Sequence, residues 1–188
     1  MKLVVGLGNP GRKYEGTRHN VGYELVAELL RRHGAGRPKL SFQGELSEIT
    51  LGSERTLLLC PHTYMNRSGS SVGAAVDFYK LPIADLLIVC DDWNLPLGKL
   101  RIRASGSSGG QKGLQDILKR LGTEEVARLR IGIGNVPPNW DAADYVLSRF
   151  TAAERSEMEL ARQRAADAVV AWAREGVAVA MNRYNGDA

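Results

Sequence analysis

Leu3-Val4-Val5-Gly6-Leu7-Gly8-Asn9-Pro10-Gly11 opens the chain with a run of apolar residues that breaks into a glycine-rich turn. The run does not alternate with polar residues, so residues 3–7 predict a strand buried on both faces. A strand of that kind needs helices above and below it, and the chain supplies them. From Asn20 onward Val21, Leu25, Val26, Leu29 and Leu30 recur at helical spacing, and Gly34 is a natural stop. Residues 86–90 form a second continuously apolar strand. Residues 46–51 and 56–60 predict two strands joined tightly at Gly52-Ser53-Glu54, the short connection of a hairpin. Ser68 is placed to cap a helix with core face Val72, Ala75, Val76 and Tyr79. Another helix is predicted around 111–121, between strands at 100–103 and 129–133. Thr151-Ala152-Ala153-Glu154 is a capping box opening a long helix through Met158, Ala161, Ala165, Val169 and Trp172. Strands alternating with helices predict an α/β fold: a single domain over 1–188, with a mixed twisted sheet surrounded by helices.

Composition sets the outer bounds. The chain has 188 residues, 44% of them hydrophobic and 24% charged, which is ordinary for a globular domain. The formal net charge of +4 leans towards an acidic partner. No apolar run reaches the ~20 residues of a membrane span, so no membrane role is expected. The two cysteines, Cys60 and Cys90, each close an apolar run and read as core thiols; a reduced, cytoplasmic setting and no signal peptide are expected. No Cys/His cluster has zinc-site spacing, so neither a metal nor a cofactor is expected.

Two formal motifs fail on context. Gly6-x-Gly8-x-x-Gly11 matches a dinucleotide fingerprint, but that motif works only where the helix begins inside it. Here Pro10 and the polar stretch 12–18 delay the helix to about Asn20. Gly106-Ser107-Ser108-Gly109-Gly110 matches a nucleophile elbow, yet His19, His33 and His62 all precede Ser108, the wrong order for that fold. These glycines read instead as places where backbone approaches a ligand or phosphate.

Three polar clusters follow three apolar strands: Asn9 and Tyr14 to Asn20, Pro61 to Ser68, and Asp91-Asp92-Trp93-Asn94. Strand ends are where open α/β sheets build sites, so the clusters are expected to converge. His19 is then a candidate base, and a carboxylate leaving a buried strand is placed to hold its tautomer. Either Asp91 or Asp92 could serve. Lys99, Arg101 and Arg103 alternate on one face, Arg128 and Arg130 repeat the spacing, and Arg12, Lys13 and Arg18 flank the His19 segment. Paired guanidinium groups suit phosphate.

Val5-Gly6-Leu7-Gly8-Asn9-Pro10-Gly11, Thr17-Arg18-His19-Asn20-Val21-Gly22, Thr63-Tyr64-Met65-Asn66-Arg67-Ser68-Gly69 and Leu129-Arg130-Ile131-Gly132-Ile133-Gly134 together resemble the bacterial peptidyl-tRNA hydrolase family, from first strand to last helix. The resemblance implies a cytoplasmic, monomeric, metal-free esterase that frees tRNA from a stalled peptide. By the same resemblance His19 is the general base and Asp91, rather than Asp92, orients it. Asn9 binds the peptide part and Asn66 positions substrate and water. Tyr14, Tyr64 and Met65 line the site, and Arg103 and Arg130 clamp the tRNA 5′ phosphate. An ester is reactive enough for water to attack without a covalent nucleophile, and imidazole, ordinarily titrating near ~6.5, suits neutral pH.

Where the family most often carries Gly-Gly-His-Gly-Gly-His-Asn-Gly, this chain carries Gly106-Ser107-Ser108-Gly109-Gly110-Gln111-Lys112-Gly113. Lys112 replaces an asparagine implied to hold tRNA, and an ammonium cannot accept a hydrogen bond. Asn94 also stands where an acid is common. The Lys112 exchange motivates a second reading, a catalytically inactive RNA-binding relative. A serine esterase built on Ser108 is a third.

Overall fold

The computed structural model describes residues 1–186. Among the described residues seven strands form one sheet: β1 (Lys2–Gly6), β2 (Lys39–Ser41), β3 (Gly44–Leu51), β4 (Glu54–Pro61), β5 (Leu86–Asp92), β6 (Leu100–Arg103) and β7 (Ala127–Gly132), in the order β2-β3-β4-β1-β5-β7-β6. β4, β1, β5 and β7 run parallel; β3 pairs antiparallel with β4, and β6 with β7. The hairpin expected from the Gly52-Ser53 connection is present, with Leu51 opposite Glu54.

The helices are α1 (Val21–His33), α2 (Ser68–Tyr79), α3 (Lys112–Leu121), α4 (Ala142–Val146), α5 (Ala152–Glu175) and α6 (Val177–Tyr184). They divide between the two faces as the pleat dictates. Leu3, Val5 and Leu7 point into a core with Val72, Ala75, Leu114 and Ile117 of α2 and α3. Val4 points the other way, into a core with Leu25 and Leu29 of α1 and Ala165, Val169 and Trp172 of α5. Each face therefore has its own apolar layer, which is why β1 had to be apolar at every position.

The glycines of the first loop serve packing. A Cβ on Gly6 would stand 2.3 Å from the Gly22 carbonyl oxygen, and one on Gly22 would stand 2.4 Å from the Leu7 nitrogen. Strand and helix meet backbone to backbone, and the turn ahead of α1 is held directly over the end of β1. The predicted long helix and its cap are also observed: Thr151 Oγ1 accepts from Glu154 N, and Glu154 accepts from Thr151 N.

Two expectations need correction. Ser68 is the first residue of α2 and not its cap; a 3-10 turn over Met65–Arg67 leads into the helix, and the Ser68 hydroxyl donates back to the Met65 carbonyl. Asp91 and Asp92 belong to β5 itself, because the ladder with β7 continues through Asp91–Ile131 and Asp92–Gly132.

Candidate active site

β4, β1 and β5 are adjacent and parallel, so the three polar clusters emerge on one edge of the sheet. Each arrives in a fixed posture. His19 sits in the 3-10 turn Arg18–Asn20 immediately before α1. Arg18 anchors that turn: its guanidinium donates to both Glu154 carboxylate oxygens (3.2 and 3.0 Å), to Ser148 Oγ and to the Ile133 carbonyl, and lies against the Tyr145 and Phe150 rings. A cation so engaged is a structural pin, and the expectation that it joins Arg12 and Lys13 in a phosphate face does not hold. Asn20 pins the other side, accepting from Asn9 N at 2.9 Å and donating to Asn9 O at 3.0 Å. These two anchors hold the chain on either side of His19.

His19 Nδ1 stands 2.8 Å from Asp91 Oδ2, with the carboxylate buried at 1% exposure. An ionised carboxylate only accepts, so in this geometry Nδ1 carries the proton and Nε2 is left with its lone pair. The choice between the two acids is thus made by the strand: successive side chains alternate, and Asp92 points away from His19, to Arg130 Nη1 at 3.2 Å. Asp91's second oxygen is also engaged, accepting from Gln111 Nε2 at 3.0 Å.

His19 and Asn9 line a cleft of about 360 Å³ with Trp93, Gly110, Lys112, Asp141, Ala142, Ala143, Val146 and Leu147. Asn9 Oδ1 accepts from Met65 N at 2.8 Å, which fixes the amide and leaves its NH2 group directed away from that bond. Among the described residues no hydrogen bond from this NH2 group is present, so it is a donor available to a carbonyl oxygen in the cleft. Met65 is buried behind, its sulfur 3.2 Å from Gln111 Nε2. Lys112 places a cation on one wall, while α4 and Leu147 form an apolar wall opposite in character. Among the described residues no group of three or more His, Cys, Asp or Glu is arranged to hold a metal.

The remaining expected residues lie at the rim or beyond it. Tyr14 and Tyr64 meet edge to face at 6.4 Å, with Tyr64 54% exposed. Asn66 is exposed on the turn that carries Met65, and it is not among the residues lining the cleft. A larger polar groove, of about 710 Å³, runs from Tyr64 past Arg67 to Lys119 and Arg120, and contains no acid–base pair. Arg103 and Arg130 line a separate groove with Arg101 and Arg128. Register explains the grouping: Arg101 faces Arg130 and Arg103 faces Arg128 across β6 and β7. Arg128 is the buried member, donating to the carbonyls of Val126, Ser107 and Glu124, and burial followed by the neighbouring Arg130 pushes its guanidinium below the ordinary value. Four guanidinium groups line this groove: Arg128 is committed to backbone carbonyls and Arg130 to Asp92 and the Ser107 carbonyl, so Arg101 and Arg103 are the more open cations.

The decoys are resolved by position. Ser108 lines a groove with Gln115, Lys119 and Glu124 and no histidine. Burial pushes both thiols up, Cys90 to about 12, so neither is a nucleophile at neutral pH. Gln111 and Asn20 are the supports that sequence reading did not assign, and the apolar wall over 142–147 was not foreseen. Nothing local marked the first, since glutamine is not among the usual N-cap residues.

The family model described as peptidyl-tRNA hydrolase matches residues 3–188. A curated peptidyl-tRNA hydrolase of Rhodopirellula baltica is 55% identical over 185 residues, covering 98% of this chain and 97% of that one. A second, from Symbiobacterium thermophilum, is 45% identical over 186 residues, covering 98% of each. The crystal structure of peptidyl-tRNA hydrolase from Acinetobacter baumannii superposes with a TM-score of 0.92 at 35% identity, covering 99% of this chain and 95% of that one.

Proposed function

The chain belongs to the peptidyl-tRNA hydrolase family and hydrolyses peptidyl-tRNA, and from that premise we propose that His19 is the general base, oriented by Asp91, in an attack of water on the ester carbonyl. The observation that carries the assignment is the buried 2.8 Å contact between His19 Nδ1 and Asp91 Oδ2, in a ring that lines the cleft. With Nδ1–H donated to Asp91, Nε2 takes a proton from water as the oxygen adds to the carbonyl carbon. Negative charge then develops on the former carbonyl oxygen, and the Asn9 NH2 group is the donor positioned to meet it. Collapse breaks the bond to the tRNA 3′ oxygen, which receives the proton from the imidazolium. Asp91 stabilises that cation between the two steps. No protein nucleophile is needed, and no covalent intermediate forms.

The rest of the molecule sorts by substrate part. The apolar wall of Ala142, Ala143, Val146 and Leu147 suits the side of the cleft that takes peptide. Tyr14, Tyr64 and Asn66 form the approach for the terminal nucleotide, Asn66 as a rim contact that positions substrate, and the buried Met65 backs that turn. Lys112 supplies a cation to a phosphate or hydroxyl oxygen where the family's usual asparagine would both donate and accept. Arg103 and Arg130 hold the 5′ phosphate. The protein works as a monomer in the cytoplasm, recycling tRNA from peptides released prematurely.

The test is single-turnover cleavage of an N-acetylated aminoacyl-tRNA, beside the unblocked aminoacyl-tRNA, by the native chain and by His19→Ala. Selective cleavage of the blocked substrate, abolished in the variant, is the expected result. Turnover surviving in His19→Ala would remove the base from the mechanism.

A further inference from the structure

Asp91 has two oxygens, and the mechanism uses one. Oδ2 takes His19 Nδ1–H, while Oδ1 accepts from Gln111 Nε2 at 3.0 Å. Gln111 is itself 3% exposed, and its amide has no freedom left. Oε1 accepts from Leu114 N at 2.7 Å, making Gln111 the N-cap of α3, and Nε2 also contacts the Met65 sulfur at 3.2 Å. The orientation of the amide is therefore fixed by the helix: oxygen to the orphan backbone N–H, nitrogen to the carboxylate.

This assignment rests on the reading of His19 as base. We infer that Gln111 is a positioning residue for the hydrolysis: by holding Asp91 Oδ1 it sets the rotation of the carboxylate, keeps Oδ2 on His19 Nδ1, and ties the acid–base pair to the start of α3. The chemistry favours an amide here. A lysine or arginine in the same place would compete with the imidazolium for Asp91 and weaken the base. An aliphatic residue would leave a buried carboxylate oxygen without a donor and free to turn. The same side chain also joins the pair to substrate contacts, because Gly110 and Lys112 on either side of it both line the cleft.

The test separates positioning from helix capping. Gln111→Ser retains an N-cap hydroxyl but cannot reach Asp91. Gln111→His retains one donor and one acceptor on a ring of comparable reach. Each is compared with the native chain for kcat and KM on N-acetylated aminoacyl-tRNA, and for thermal unfolding. Positioning predicts that Gln111→Ser loses about tenfold or more in kcat with KM within about twofold, and that Gln111→His recovers most of that loss. Native kcat in Gln111→Ser, a loss confined to KM, or no recovery in Gln111→His would overturn the assignment. Gln111→Asn, an amide one methylene short, replaces the serine variant if that one does not fold. His19→Ala run in parallel keeps the two ideas apart: if it stays active the base reading falls, whereas an inactive His19→Ala beside a fully active Gln111→Ser removes only the role of Gln111.

Discussion

Replacing Asp91 by asparagine changes one atom in the buried pair, and the neighbours determine which way the new amide turns. Gln111 Nε2 donates towards Oδ1, so the amide oxygen of Asp91→Asn is drawn to that side, and its NH2 group is left facing His19 Nδ1. Nδ1 must then accept, which moves the ring proton to Nε2. The ring presents a donor to the cleft where the reaction needs an acceptor. A general base contributes roughly 10²–10⁴ in rate, and the corresponding exchange in Ser-His-Asp enzymes costs about 10⁴ through the same tautomer inversion. Here kcat is expected to fall about 10³-fold, or about 4 kcal/mol of barrier. KM stays within about twofold, because the guanidinium groove is untouched. The geometry also predicts a partial rescue. Adding Gln111→Glu to Asp91→Asn turns the amide over, since the introduced carboxylate now accepts from its NH2 group and the amide oxygen returns to His19 Nδ1. A recovery of roughly tenfold is expected for such a coupled pair. Single-turnover cleavage of N-acetylated aminoacyl-tRNA measures both variants. Activity of Asp91→Asn within threefold of native would refute the tautomer argument at its first step.

Three further outcomes test other parts of the molecule. Gly22→Ala drives a methyl into the Leu7 backbone at 2.4 Å, so chemical denaturation should show a loss of about 3 kcal/mol, accompanied by reduced activity because the His19 turn adjoins the displaced helix. Glu28 is held down to about 2 by its hydrogen bonds to Arg31 and Arg32. Its folded value lies below the ordinary 4.5, so its stabilisation is present above that value and is lost as pH falls from 4.5 towards about 2; the difference in unfolding midpoint between native and Glu28→Gln should shrink over that window. Arg103→Ala removes an exposed cation from the guanidinium groove, and KM should rise several-fold at unchanged kcat, with the slope of log KM against log salt reduced by about one.

β1, β4 and β5 were legible because they are short apolar runs bounded by glycine or polar turns, the pattern that burial on both faces imposes, and β3, β6 and β7 because apolar residues recur in them at every second position or nearly so. The elements that escaped are those that burial does not write into the sequence. β2, Lys39-Leu40-Ser41, is a three-residue edge strand with two exposed positions, and its pairing with β3 is a backbone matter with no apolar pattern to announce it. α4 has five residues, too few for a period. α6 follows α5 after Gly176 alone, so its spacing merges with that of the longer helix.

The site divides along a different line. His19 and a neighbouring acid at 91 or 92 were legible as types that a strand end can use, whereas the preference for Asp91 and the role of Asn9 came with the family resemblance. The choice between Asp91 and Asp92 follows from the alternation of a strand, but only once the ladder with β7 shows that β5 continues through both. Arg18 misled for the opposite reason: a guanidinium beside a candidate base looks like a phosphate ligand, and nothing local shows that Glu154, 136 residues on, will claim it. Gln111 was hidden by its double duty. Glutamine is not among the usual N-cap residues, so neither its cap on Leu114 N nor its second hydrogen bond, to a residue 20 positions earlier, is announced by the sequence. Supports of this kind are set by tertiary geometry. The groups proposed to do the chemistry show in a sequence by type, whereas the groups that hold them show only when the strands have been brought side by side.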